Sequence, residues 1–170
     1  LQIGASSLGF LGGNVDEFAI WVGSDQRANV SEIWNGGLPN DLNTLPTAPQ
    51  PTNWFRMGEF ATWNGRAFSM TDVNNSYVVR SQGLNASDPN PTTDVPLFDN
   101  KSFTYDGVSD YVSLGSRTQN FTDFTISVWF KTQPKGGLNA IIGNSGAEGG
   151  YLFFIGQAGG VIKFVDDAYR

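Results

Sequence analysis

A long apolar stretch lies near the front of the chain. In NVDEFAIWV, residues 14–22, Val15, Ala19 and Trp21 at odd positions and Phe18, Ile20 and Val22 at even positions are all apolar. A half-buried strand shows one polar face, so a strand apolar at both parities is expected to be covered on both sides inside a layered sheet. Asn29-Val30-Ser31-Glu32 follows, a capping side chain three residues ahead of a carboxylate, and then Ile33, Trp34 and the pair Gly36-Gly37. That spacing predicts one short helix near 29–35, opened by a capping box and closed by a left-handed exit.

Farther along, FTISVWFKT (residues 124–132) alternates. Phe124, Ile126, Val128 and Phe130 fall on one face, Thr125, Ser127, Trp129 and Lys131 on the other. SFTYDGVSDYVSLGS (102–116) reads as two short extended runs around the turn pair Asp106-Gly107. NAIIGNS, YLFFIGQ and VIKFVDD predict three more strands, the last two a hairpin across Ala158-Gly159-Gly160. Shorter strands are expected around Leu1 to Ala5 and over WFRMGE, residues 54–59. From Trp63 to Asp99 the chain is polar, Asn-rich and interrupted by proline, which predicts long loops with one β-prone island at Tyr77 to Val79. LPTAPQPTN (45–53) carries three prolines and reads as an extended, weakly packed connector marking a boundary. The pattern is all-β.

Composition agrees and removes several function classes. Aromatic residues (14%) and 21 glycines, with only 15% charged residues, suit many short strands joined by tight turns. A net charge of -6 with ten scattered Lys and Arg leaves no basic stripe for phosphates, so nucleic acid is excluded as a partner. No apolar run approaches the roughly 20 residues of a membrane helix, so membrane insertion is not expected. Cys and His are both absent, which removes disulfides, thiolate nucleophiles, cysteine-type zinc sites and the histidine general base. Any chemistry would fall to carboxylates, lysine or tyrosine.

Two regions carry a resemblance. KSFTYDGVSDYVSLGS followed by FTDFTISVWFKT resembles the opening of a laminin-G-like, concanavalin A-like lectin/glucanase module, and LQIGAS…GNVDEFAIW…VSEIWNGG resembles the close of one. WFRMGE and TDVPLFDNKSF are similar to modules in structural proteins of marine bacteriophages. The resemblance implies a jelly-roll sandwich of two antiparallel sheets with first and last strands adjacent. An ending placed before a beginning suggests that residues 1–45 are the C-terminal part of a first module, 46–52 a proline-rich linker, and 53–170 the N-terminal part of a second. The family's middle, with its W-x-H-V and YVDG phrases, is missing from both halves. The alternative is a permuted single domain in which strand 14–22 pairs with strand 53–58.

Glycosidases share this fold and need two carboxyl groups about 5 to 9.5 Å apart. Asp16-Glu17 and Asp166-Asp167 are adjacent pairs, and neighbours on a strand point to opposite faces, so no catalytic residue is assigned and the chain is expected not to be an enzyme. Lectin-like jelly rolls often hold calcium with Asp, Asn and backbone oxygens; Asp106 and Asp110 are the candidate ligands, near Asp99 and Asn100, although Asp-Gly also simply makes turns. Sugar binding needs an exposed aromatic beside hydrogen-bonding groups, and Trp63 with Asn64 is the candidate ligand site. Five N-x-S/T triplets, at Asn29, Asn74, Asn85, Asn100 and Asn120, would carry glycans only on a eukaryotic secretory route. Together these readings describe a non-enzymatic structural or adhesion protein, on a virion surface (decoration protein or tail fibre) or extracellular. Its partners would be other copies, other virion proteins or surface glycans. The alternative is a carbohydrate-binding module of a secreted bacterial protein.

Overall fold

The computed structural model describes residues 1–6, 8–82, 90–92, 101–115, 123–133, 137–143, 151–155 and 162–166. Strands take 46% of residues and helical turns 10%, so the chain is all-β, with antiparallel sheets and one short helix. In chain order the strands are β1 (Gln2–Ile3), β2 (Ala5–Ser6), β3 (Gly9–Phe10), β4 (Gly12–Val22), β5 (Asn53–Phe55), β6 (Thr62–Trp63), β7 (Phe68–Thr71), β8 (Val78–Gln82), β9 (Asn90–Thr92), β10 (Ser102–Asp106), β11 (Tyr111–Ser113), β12 (Phe124–Thr132), β13 (Asn139–Gly143), β14 (Tyr151–Ile155) and β15 (Ile162–Asp166); the helix is α1 (Val30–Trp34).

Eight strands form one sheet, in the order β15-β14-β13-β1-β11-β8-β7-β6. The second sheet runs β12-β4-β10-β9, with β5 also on β4, and β2 and β3 make a small ribbon of their own. One core joins the two sheets. Ile3, Val112, Ile141, Ile142, Met70 and Val79 of the larger sheet pack against Val15, Phe18, Ile20, Phe55, Phe103 and Tyr105 of the smaller. Each fully buried side chain of this size contributes about 1.5–3 kcal/mol.

β4 explains why its sequence is apolar at both parities. It is buried from Gly12 through Trp21. Opposite it, β12 pairs Ser127 with Ala19 and Trp129 with Asp16, so Val128 alone faces the two residues Glu17 and Phe18. The extra residue is a bulge, and Glu17 takes the left-handed conformation there with φ 47°. Because the side-chain period is two, one inserted residue exchanges the faces. Val15 points into the shared core before the bulge, and Phe18 and Ile20 do so after it. The other face carries Ala19 and Trp21, covered by Leu42, Trp54, Ile33 and Leu45.

Strands from both sides of residues 46–52 pair within the same sheets. β1 lies between β11 and β13, and β4 pairs with β12, β10 and β5. β4 and β5 lie on either side of that segment and pair directly, with Phe18 opposite Phe55 and Ile20 opposite Asn53. The proline-rich segment itself is tied down, not weakly packed. Trp21 Nε1 donates to the Pro49 carbonyl at 2.7 Å, Glu32 accepts from the Thr47 and Ala48 amides at 3.0 Å, and Ala48 is buried.

Several local expectations change. The strand at 1–5 splits at Gly4, whose φ of 85° and contact with the Tyr105 ring leave no room for a β-carbon. The helix has no capping box: Asn29 makes no side-chain cap, because its carboxamide bonds Thr47 and Gln26 while Glu32 holds the strap. Its left-handed exit begins at Asn35, φ 47°, one residue before the glycines. The 54–59 strand shrinks to β5, and the supposed loop region from 63 to 99 contains β7, β8 and β9. β14 and β15 pair as expected, from Tyr151 opposite Asp166 to Ile155 opposite Ile162, while the turn at 158–160 lies outside the described residues. No described helix is long and apolar enough to cross a membrane.

Candidate functional site

The bulge lies where β4 changes neighbours on one edge. β10 accompanies it from Gly12 to Val15, and β5 takes over from Phe18 to Ile20. Asp16 and Glu17 occupy the gap, inside an otherwise apolar strand. Buried carboxylates must be hydrogen-bonded or paired. Asp16 Oδ1 accepts the Glu17 amide at 2.9 Å, a bond that closes the bulge on itself. Glu17 Oε2 accepts Trp54 Nε1 at 2.6 Å, and Oε1 accepts Arg56 Nε at 2.8 Å. The Glu17 side chain is 4% exposed and that of Arg56 31%.

This arrangement aims the arginine. Trp54 lies in β5 and Arg56 just past its end, and both reach Glu17. The guanidinium lies 5.5 Å from the Trp54 ring centroid, and Glu17 fixes its Nε. β5 is in turn held by Asp72, buried in the turn after β7, which accepts the Trp54 amide at 3.1 Å, the Asn74 amide at 2.9 Å and the Asn53 carboxamide.

Outside the clamp is a pocket of about 310 Å³, lined by Trp54, Arg56, Phe60, Asn40, Asp41 and Asn43, with Pro39 and Val73. Phe60 is 59% exposed. Asp41 Oδ1 accepts the Asn43 amide at 3.0 Å, and Asn43 Nδ2 donates to Asn74 Oδ1 at 2.7 Å, so the polar wall is held in place. No donor among the described residues reaches the buried Asn43 Oδ1.

Behind the pocket, Asp16, Glu17 and Glu59 bring carboxylate oxygens within 4.8 Å of one another. Adjacent acids on a regular strand could not converge in this way; the bulge overturns that expectation by breaking the alternation. Three carboxylates are the donor type for a hard cation. Here, however, both Glu17 oxygens serve Trp54 and Arg56, and Glu59 Oε1 accepts the Lys101 amide at 3.0 Å. The second pair considered, Asp166-Asp167, has no described side chains.

The residues expected from sequence lie elsewhere. Trp63, 42% exposed on β6, tilts onto Phe68 at 4.9 Å, and Phe68 meets Phe103 edge-on at 5.7 Å. Asn64 Oδ1 accepts the Arg66 amide at 3.0 Å and the Ala67 amide at 2.9 Å, closing its own turn. Asp106 and Asp110 do come together. Asp110 Oδ2 accepts the Asp106 amide, and Asp106 Oδ1 accepts the amides of Val108, Ser109 and Asp110 at 2.8–3.2 Å. Partial burial pushes the Asp106 carboxyl up, but these N–H groups outweigh it and hold the group below the ordinary carboxylate range. Among the described residues no third carboxylate joins this pair; Asp99 and Asn100 lie outside them. Next to it, burial, reinforced by the Asp110 carboxylate, pushes the Tyr105 hydroxyl well above its usual value.

A second, apolar concavity of about 440 Å³ runs between α1 and β12, lined by Val30, Ile33, Trp34 and residues 124–130. Trp34 stacks on Trp129 there, with centroids 5.1 Å apart and rings 17° from parallel. Compared with known protein families, curated proteins and solved structures, the chain matches none.

Proposed function

We propose that this chain is a non-enzymatic recognition module, a concanavalin A-like jelly roll used for adhesion, and that the pocket beside the β4 bulge takes a glycan. One observation carries the reading: a buried carboxylate and a tryptophan ring fix Arg56 at the rim of a polar pocket that also offers an exposed phenylalanine. A pyranose presents an apolar face and a ring of hydroxyls. Phe60 suits the first, and Arg56, Asn40, Asp41 and Asn43 suit the second. The jelly-roll assignment is supported by the two antiparallel sheets and by β1 lying between β11 and β13.

Burial argues against catalysis. Asp16 is 2% exposed and Glu17 3%, whereas a glycosidase must bring two carboxyl groups into contact with its substrate. Display on a virion surface, against a host or a neighbouring subunit, rests on the likeness of WFRMGE and TDVPLFDNKSF to phage structural modules.

A glycan array followed by calorimetry tests the proposal. Binding to a defined sugar that Phe60→Ala weakens at least tenfold, and that Trp63→Ala leaves intact, is the expected result. Binding lost through Trp63→Ala alone would move the site to β6. The release of reducing ends from any polysaccharide would overturn the non-enzymatic reading.

A further inference from the structure

The turn that joins β6 to β7 holds an asparagine followed by a glycine, Asn64-Gly65, and both are exposed to water. The Asn64 amide donates to the Ala67 carbonyl at 3.2 Å. Asn64 Oδ1 accepts the Arg66 amide at 3.0 Å and the Ala67 amide at 2.9 Å. To reach amides two and three residues on, the carboxamide must fold back over Gly65, which sets its Cγ on the same side of the Asn64 Cα–C bond as the Gly65 nitrogen. Gly65 itself has φ 91°, and a β-carbon built there would meet nothing within 4 Å. No acceptor among the described residues takes its N–H.

We propose that Asn64 is a site of spontaneous deamidation, by attack of the Gly65 nitrogen on Asn64 Cγ. The new N–Cγ bond forms as the Gly65 N–H gives its proton to water. The Cγ–Nδ2 bond then breaks, and the nitrogen takes up a proton from water and leaves as ammonia. Water opens the resulting succinimide at either carbonyl, yielding aspartate or isoaspartate, and nothing is oxidised or reduced. Negative charge builds on Oδ1 in the tetrahedral intermediate, and that oxygen already faces two N–H donors, the arrangement that stabilises acyl-transfer intermediates. Glycine adds no side chain to obstruct the approach. Isoaspartate carries the backbone through an extra methylene where the hairpin closes, so the pairing of Thr62 with Ser69 and of Trp63 with Phe68 is strained by the product. None of this depends on the glycan pocket.

The chain contains its own control in Asn35-Gly36, which ends α1 at φ 47°, ψ 39°, with the Asn35 amide bonded to the Ser31 carbonyl. At that ψ, tetrahedral geometry places the Asn35 side chain nearly opposite the Gly36 nitrogen across the Cα–C bond. Ring closure there requires the helix end to unwind.

The test is incubation of the chain at mildly alkaline pH, folded and in urea, with both asparagines followed by peptide mass spectrometry and isoaspartyl product labelled by an isoaspartyl methyltransferase. In urea the two sites should convert within about threefold of each other. In the folded chain Asn35 should slow by about tenfold or more, while Asn64 keeps at least its unfolded rate. Ala67→Pro removes one of the two donors to Oδ1 and should slow Asn64 about tenfold in the folded chain but not in urea. The comparison of the two sites in the parent chain decides the outcome even where this variant disturbs the hairpin. Folding that protects Asn64 as much as Asn35 overturns the proposal, as does a folded Ala67→Pro chain that converts at the parent rate.

Discussion

Replacing Glu17 separates two contributions to the clamp. Glu17→Ala removes the acceptor of Trp54 Nε1 and the partner of Arg56. A hydrogen bond to a buried carboxylate contributes about 1.5–3 kcal/mol. Losing one partner of a buried ion pair costs about 3–5 kcal/mol, and the partial exposure of Arg56 places this case at the lower end. A total loss near 5 kcal/mol follows, or about 10–20 °C in Tm for a chain of this length. Glu17→Gly loses the same bonds, but the residue sits at φ 47°, where a side chain costs about 1 kcal/mol relative to glycine. The glycine variant should therefore be the more stable of the two by about 1 kcal/mol, despite glycine's usual penalty in a strand. Urea denaturation with an unchanged m-value is the assay. An alanine variant as stable as its glycine counterpart, or a loss below about 1 kcal/mol in both, would refute the account of the bulge.

Four further outcomes are expected. Gly13→Ala would place a β-carbon 2.1 Å from the Lys131 carbonyl at φ 142°, so stability should fall by about 3 kcal/mol or more in chemical denaturation. Tyr105→Phe removes a buried hydroxyl with no hydrogen-bond partner among the described residues, and should be neutral or stabilising by up to about 1 kcal/mol in the same assay. Because the Asp106 carboxyl is held low in the fold, its contribution is full above the unfolded carboxyl value and is lost as pH falls through the folded one; Asp106→Asn should show a shallower acid loss of stability below about pH 4, and parallel curves would contradict this. Trp34→Ala removes the stack on Trp129 and should cost about 1 kcal/mol, with reduced near-UV circular dichroism.

Much of the layered core was legible because β12 obeys a single period, and its four alternating apolar residues all reach the core. β4 was legible as buried but not as bulged. A parity switch and a doubly covered strand give the same apolar run, and here both hold. The consecutive acids Asp16-Glu17 inside that run were the available signal for the site, since two buried charges require partners. Trp54 in β5 and Arg56 just past its end were the partners to look for. They stayed hidden because nothing local says that β5 docks on β4 across 30 intervening residues. Trp63 and Asn64 stood out because polar surroundings suggest exposure; Trp63 is exposed, and the asparagine also closes its own turn. The prolines of 46–52 signalled extension correctly but not looseness, because the Glu32 and Trp21 bonds that anchor the strap come from distant residues.

The position of β1 constrains how the chain reaches this state. Gln2 pairs with Ser113 on one side and Gly143 on the other. β1 is therefore synthesised more than a hundred residues before either neighbour, and Ile3 has no place in the sheet until they follow. Closure across more than a hundred residues is entropically slow and tends to come late. A ribosome-stalled or truncated chain that stops before β11 would leave Ile3 unhoused, so chaperone dependence should be greatest at that stage of elongation.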